Sequence, residues 1–131
     1  MTAQSAARAG VWVGDGAARQ GSEVVPLAPF ALTIDADVAW AADRLLYTIA
    51  ASGQLSIATG APGQGTPQLA VAKARRPAAT SDGRTIVFES TETGERDGLW
   101  KADADGRRAV QLVAGHARYP VVTPDNRQVI F

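Results

Sequence analysis

The chain contains no cysteine and a single histidine, His116. Disulfides and thiolate metal centres are thereby excluded, and one imidazole per chain cannot build a histidine-rich zinc site, so no metal is expected. Charge of one sign is also missing: thirteen Lys and Arg stand against thirteen Asp and Glu. Nucleic-acid binding through phosphate neutralisation needs a basic excess or stripe, and is not expected. No apolar run approaches the roughly 18 residues that cross a bilayer, so no membrane span is expected. Residues 1–10 lack the apolar stretch of a secretory signal, so no signal peptide is expected within this chain and the compartment stays open. Helical periodicity is scarce too, and the Ala-rich stretch 2–9 is short and reads as loop. Motifs that carry chemistry are equally absent. Gly14-Asp15-Gly16 begins a dinucleotide-type glycine pattern, but Arg19 stands where the third glycine belongs and no helix follows. Neither a phosphate loop nor a G-x-S-x-G elbow occurs. Asp103-Ala104-Asp105-Gly106 starts like a calcium loop but lacks the further ligands and the closing Glu, so it reads as a hairpin turn. No cofactor and no enzymatic activity are expected.

What the chain does contain is short apolar runs broken by Gly, Pro, Asp and Asn, with 46 % apolar residues in a length that suits one domain. This pattern predicts strands over residues 11–13, 24–27, 38–40, 45–50, 55–58, 68–71, 78–80, 85–88, 99–102, 109–113, 121–123 and 128–131. Ser81-Asp82-Gly83 and Pro124-Asp125-Asn126 suit tight hairpins, because Gly and Asn accept positive φ. Pro26 cannot donate to a ladder and predicts an outer-edge strand.

The strands repeat. Arg75-Arg76-Pro77-Ala78-Ala79-Thr80-Ser81-Asp82-Gly83-Arg84-Thr85-Ile86-Val87-Phe88 lines up with Arg118-Tyr119-Pro120-Val121-Val122-Thr123-Pro124-Asp125-Asn126-Arg127-Gln128-Val129-Ile130-Phe131, and a worn copy runs from Asp37 to Tyr47 with a shorter turn. Between these cassettes lie second hairpins, in which Trp12, Ser56 and Trp100 fall at intervals of 44 residues. Each repeat therefore supplies four strands, as a propeller blade does. The expected class is all-β, with four-stranded antiparallel blades and three blade equivalents in a single domain, 1–131. The repeats run over about 8–51, 52–90 and 91–131. Trp12, Trp40 and Trp100 are expected to pack between blades.

Residues 77–88 resemble the P-x-W-S-P-D-G-x-x-I-x-F signature of the TolB-like, WD40-like (PD40) β-propeller repeat. Leu99-Trp100-Lys101-Ala102-Asp103-Ala104-Asp105-Gly106 with Gln111-Leu112 resembles its second hairpin. The resemblance covers residues 8–131 and implies blades around a central channel. It further implies roles such as those of six-bladed periplasmic proteins, kinase sensor portions or peptidase propellers, and an extracytoplasmic setting is common in the family. Fold alone does not choose among these.

Three blades do not close a ring, since propellers typically use about four to eight. The repeat phase places a second hairpin first and a first hairpin last, and an isolated hairpin is marginal. Crossing from Trp100 to Trp12 of a following copy takes 43 steps, close to the internal 44. The expected partner is therefore the chain itself. A homodimer would have six blades, favoured over a homotrimer with nine because two-fold dimers are commonest. The expected interface residues are Val11, Trp12, Val13, Val24 and Leu27 of one copy and Val129, Ile130 and Phe131 of the other. The segments leading into each first strand carry Asp35, then Arg75 and Arg76, then His116, Arg118 and Tyr119. If they converge, they form a mixed-charge channel rim able to take a peptide terminus or small acid, or else a rim of internal ion pairs. The expected function is a non-enzymatic scaffold or protein-interaction module. The alternative is a propeller segment of a larger protein that binds a peptide or small acid.

Overall fold

The computed structural model describes residues 9–14, 16–17, 21–27, 37–61 and 67–131, with the backbone alone for 9–13, 21–27 and Ala51. Asp35, residues 2–8 and most of the loop 60–65 lie outside the described residues, as do the side chains of Val11, Trp12, Val13, Val24 and Leu27.

The polypeptide alternates short extended runs with tight turns, and the resulting strands pair with their chain neighbours. β1 (Ala9–Gly14) and β2 (Gly21–Leu27) form a hairpin. β3 (Val38–Ala41), β4 (Arg44–Ala51), β5 (Gln54–Gly60) and β6 (Gln68–Ala72) form a four-stranded sheet in that order. β7 (Ala74–Ala79), β8 (Thr85–Ser90), β9 (Gly98–Asp103) and β10 (Val110–Ala114) form a second. β11 (Val121–Val122) and β12 (Val129–Ile130) form a further hairpin. All pairings are antiparallel, and among the described residues the only helical element is a 3₁₀ turn, Gly94–Arg96. Pro26 lies in β2, which pairs with β1 alone among the described residues.

The turns show why the sequence repeats. In the β7–β8 turn Thr80 Oγ1 donates to Asp82 Oδ1 at 2.6 Å, and the same carboxylate oxygen accepts the Arg84 N–H at 3.0 Å. In the β11–β12 turn Thr123, Asp125 and Arg127 repeat this at 2.6 and 3.1 Å. These bonds, the hydroxyl first and the backbone N–H second, hold the Asp82 and Asp125 carboxyls below their ordinary range. Gly83 (φ 70°) and Asn126 (φ 61°) take the left-handed position. A Cβ on Gly83 would stand 2.8 Å from the Ala41 carbonyl carbon, so glycine is required there. Asn126 instead reaches back to the previous turn, accepting the Ser81 N–H and donating to Ser81 Oγ, both at 2.8 Å.

Opposed residues in an antiparallel ladder share a face, which assigns the core. Ala39, Ala41, Leu46, Ile57 and Val71 of the first sheet pack against Ala74, Ala79, Ile86, Phe88, Trp100 and Ala102 of the second. Leu45, Tyr47 and Ala58 are buried on the opposite face of the first sheet, and burial pushes the Tyr47 hydroxyl pKa up. Trp100 is thus an inter-sheet residue, braced by its indole N–H to the Arg96 carbonyl at 3.0 Å. Trp40 is not packed between sheets of this chain. It lies opposite Leu45, on the face turned away from the second sheet, and is 52 % exposed.

Two further corrections concern register. β7 begins at Ala74, four residues before the expected start, because a bulge between Arg75 and Ala78 takes up Arg76 and Pro77 inside the strand. The second hairpins share another bulge. Val11 and Trp12 face Val25 and Glu23, Ile57 and Ala58 face Val71 and Leu69, and Leu99 and Trp100 face Val113 and Gln111. Each skips one residue on the outer strand. The structural counterpart of Trp12 and Trp100 is therefore Ala58, not Ser56.

Candidate functional site

Both expected arginine-bearing segments flank one carboxylate. Glu89 ends the apolar run of β8 and is fully buried. Its Oε2 accepts from Arg75 Nε at 2.9 Å and Arg76 Nη1 at 3.0 Å, and Arg118 Nε stands 3.9 Å away. Its Oε1 accepts the Tyr119 backbone N–H at 2.6 Å. Arg76 extends the cluster in two directions. Its Nε lies 3.6 Å from Asp37 Oδ2, and its guanidinium stacks 4.0 Å from the Tyr119 ring centroid. Arg118 Nη2 meets Asp97 Oδ1 at 3.0 Å, while Nη1 donates to the Ala117 and Gly115 carbonyls at 2.9 and 3.3 Å.

Backbone geometry places these groups. Arg76 (φ 50°) and Tyr119 (φ 58°) are left-handed, at a cost of about 1–2 kcal/mol each. Each precedes a proline, Pro77 or Pro120. Each backbone N–H donates to a side chain on the second strand of the preceding sheet: Arg76 to Thr48 Oγ1 at 3.2 Å, Tyr119 to Glu89 Oε1. Thr48 and Glu89 are counterparts, opposite Ile57 and Leu99 at the same point of the shared bulge. The bonds offset the backbone cost by satisfying a donor that would otherwise be stranded at a buried acceptor.

Of the six sequence-expected rim residues, Arg75, Arg76, Arg118 and Tyr119 converge and Asp35 lies outside the described residues. His116 stands apart: it is 96 % exposed on its side chain, with Nδ1 3.9 Å from Asp97 Oδ2. Sequence reasoning missed Glu89, Asp97, Asp37 and Thr48. A signal for Glu89 was present, an acid placed directly after the apolar run Ile86-Val87-Phe88, which is buried on both faces. The three guanidiniums face three carboxylates of the chain itself, at the positions an incoming carboxylate would take. Chemically the arrangement clamps successive strands together.

No protein-family model matches the chain, and no curated protein matches it. A solved structure does, the crystal structure of a nidogen/laminin complex, with a TM-score of 0.62 and 17 % identity over 83 % of this chain and 42 % of that one. The neighbour is β-propeller-like. At that identity the likeness shows the fold alone. The chain is all-β, with four-stranded antiparallel sheets in propeller-like succession. It spans about two fifths of the neighbour's length.

Proposed function

We propose that the chain is a non-enzymatic protein-interaction module of the TolB-like propeller-repeat type, which closes into a six-bladed homodimeric ring. The observation that carries this reading is the outer edge of β12. Its counterpart β8 pairs with β7 on one side and β9 on the other, whereas among the described residues β12 pairs with β11 alone. An open edge of this kind is a template for strand addition. The β1–β2 hairpin carries the bulge of an outer blade half, so it has the form the edge lacks. Carrying the β8–β9 register over to β12 sets Phe131 opposite Trp12 and Ile130 opposite Val13 of a second copy. The neighbour's occurrence in a protein complex, as its name states, is in keeping with an interaction role.

Native mass spectrometry or light scattering tests the reading. The expected mass is twice the 13.6 kDa chain. A folded monomer would remove it. A second reading draws on the 42 % coverage of the neighbour: the edge is filled by further strands of a longer chain, and the channel side binds a peptide or small acid. Under that reading the isolated chain aggregates or fails to fold cooperatively, and Arg75→Ala with Arg118→Ala weakens ligand binding in the longer protein.

A further inference from the structure

The two complete sheets meet through one repeated contact. The face of the first sheet that holds Ala39 and Leu46 packs on the face of the second that holds Ala79, Ile86 and Phe88. The second sheet repeats the donor face with Ala78 and Val87, which are again buried. In the β11–β12 hairpin the same places are held by Val121 and Ile130, which face each other across the ladder as Ala78 and Val87 do. Here the face is open: Val121 is 58 % and Ile130 59 % exposed, whereas Leu46 and Val87 are 1 % and 2 % exposed. The complementary receiving face is also partly open. On the first sheet Val38 lies opposite Tyr47, and Trp40 opposite Leu45. Tyr47 and Leu45 hold the places of Phe88 and Ile86 and are buried, but Val38 and Trp40 on the inner strand are 46 % and 52 % exposed.

We infer that the Val121–Ile130 face of one copy docks on the Val38–Trp40 face of a second, continuing across the junction the sheet-to-sheet contact already present within the chain. This rests on the homodimeric-ring reading and adds to it a face-to-face contact distinct from strand addition at β12. The docking continues the existing interface: among the described residues an open donor face and an open receiving face carry matched positions. The side chains suit the role. Inside the chain these places hold small alanines, Ala39 and Ala79 at the contact between the two sheets and Ala78 buried on the second sheet's other face. At the open faces their places are taken by Val121 and Trp40, large apolar groups that gain from leaving water.

The cysteine-free sequence gives a clean test. Two single-cysteine variants, Val121→Cys and Trp40→Cys, are mixed, allowed to exchange and oxidised. A covalent dimer is expected in the mixture and not in either variant alone, because each junction joins unlike faces. Val38→Cys replaces Trp40→Cys as an independent receiving-face probe should the tryptophan prove necessary for folding. Native mass of each variant is read in parallel. Dimers by mass without cross-linking from either receiving position would overturn this contact and leave the ring reading standing. Monomers by mass would overturn both. Cross-linking of Val121→Cys with itself would point to a like-with-like interface and also overturn the proposal. A charge at the face, Ile130→Lys, is expected to weaken dimerisation by on the order of tenfold or more, since it buries an unpaired ammonium. Unchanged affinity would count against the contact.

Discussion

Thr48 on β4 and Glu89 on β8 hold the same place in successive sheets, and the difference between them is chemical. Each accepts the backbone N–H of the left-handed residue before the proline of the next repeat, Arg76 before Pro77 or Tyr119 before Pro120. At Thr48 that residue is Arg76, whose side chain turns away toward Glu89 and Asp37, so a hydroxyl meets the single donor. At Glu89 the Arg75 and Arg76 guanidiniums arrive as well, and a carboxylate is needed to receive them all. Backbone geometry sets the position of the acceptor. The side chains of β7, the neighbouring strand of its own sheet, set its identity.

The largest effect should come from emptying the charged version of the joint. Glu89→Leu leaves guanidiniums facing an apolar group and is expected to cost about 3–5 kcal/mol, read as a lower urea midpoint. Thr48→Val removes one acceptor from one N–H and should cost about 1 kcal/mol. Equal losses at the two sites would break the comparison. The turns offer a second, smaller contrast. Gly83→Ala puts a Cβ against Ala41 at a positive φ and should cost about 2 kcal/mol, whereas Asn126→Ala, away from any such contact, loses mainly its exposed bonds to Ser81, worth about 1 kcal/mol.

The smallest effect is one of pH. Asp82 and Asp125 have carboxyl pKa values lowered by their Thr hydroxyls and then by the Arg84 and Arg127 N–H groups. Their stabilisation is therefore present above the unfolded-state pKa near ~4 and lost as pH falls through the lower folded value. Asp82→Asn and Asp125→Asn should flatten the acid limb of the stability curve below about pH 4. An unaltered limb would show that other carboxylates, such as Glu92 beside Arg96 and Lys73, dominate acid unfolding.

Strand positions were legible because turn chemistry brackets them. Thr-x-Asp-Gly/Asn-Arg is a local code, and its hydrogen bonds close within five residues. The bulges were not legible. The Arg76–Pro77 bulge hides a strand inside what reads as a linker, and the outer-strand bulge moves the counterpart of Trp100 from Ser56 to Ala58. The candidate site was half legible. Arg75, Arg76, Arg118 and Tyr119 stood, with Asp35 and His116, among six residues picked out by their shared place in the repeat as a rim that forms only if those segments converge. Their buried counter-charge was not, because Glu89 pairs across 13–30 residues of sequence and no local pattern reports that distance. Trp40 shows a related limit: strand alternation fixes that two residues share a face but not whether a sheet of the same chain covers it.

The bulge common to all three outer hairpins changes what counts as a period. Measured in residues, the repeat stretches and shrinks from copy to copy; measured in ladder rungs from the skipped residue, Trp12, Ala58 and Trp100 stand on the same rung. A loop between β5 and β6 that lengthens, or a turn between β3 and β4 that shortens, leaves that rung where it was. The outer hairpins thus act as slack in the chain's bookkeeping of length, letting sequence drift at the rim while the inner strands and the acceptors they meet keep their alignment.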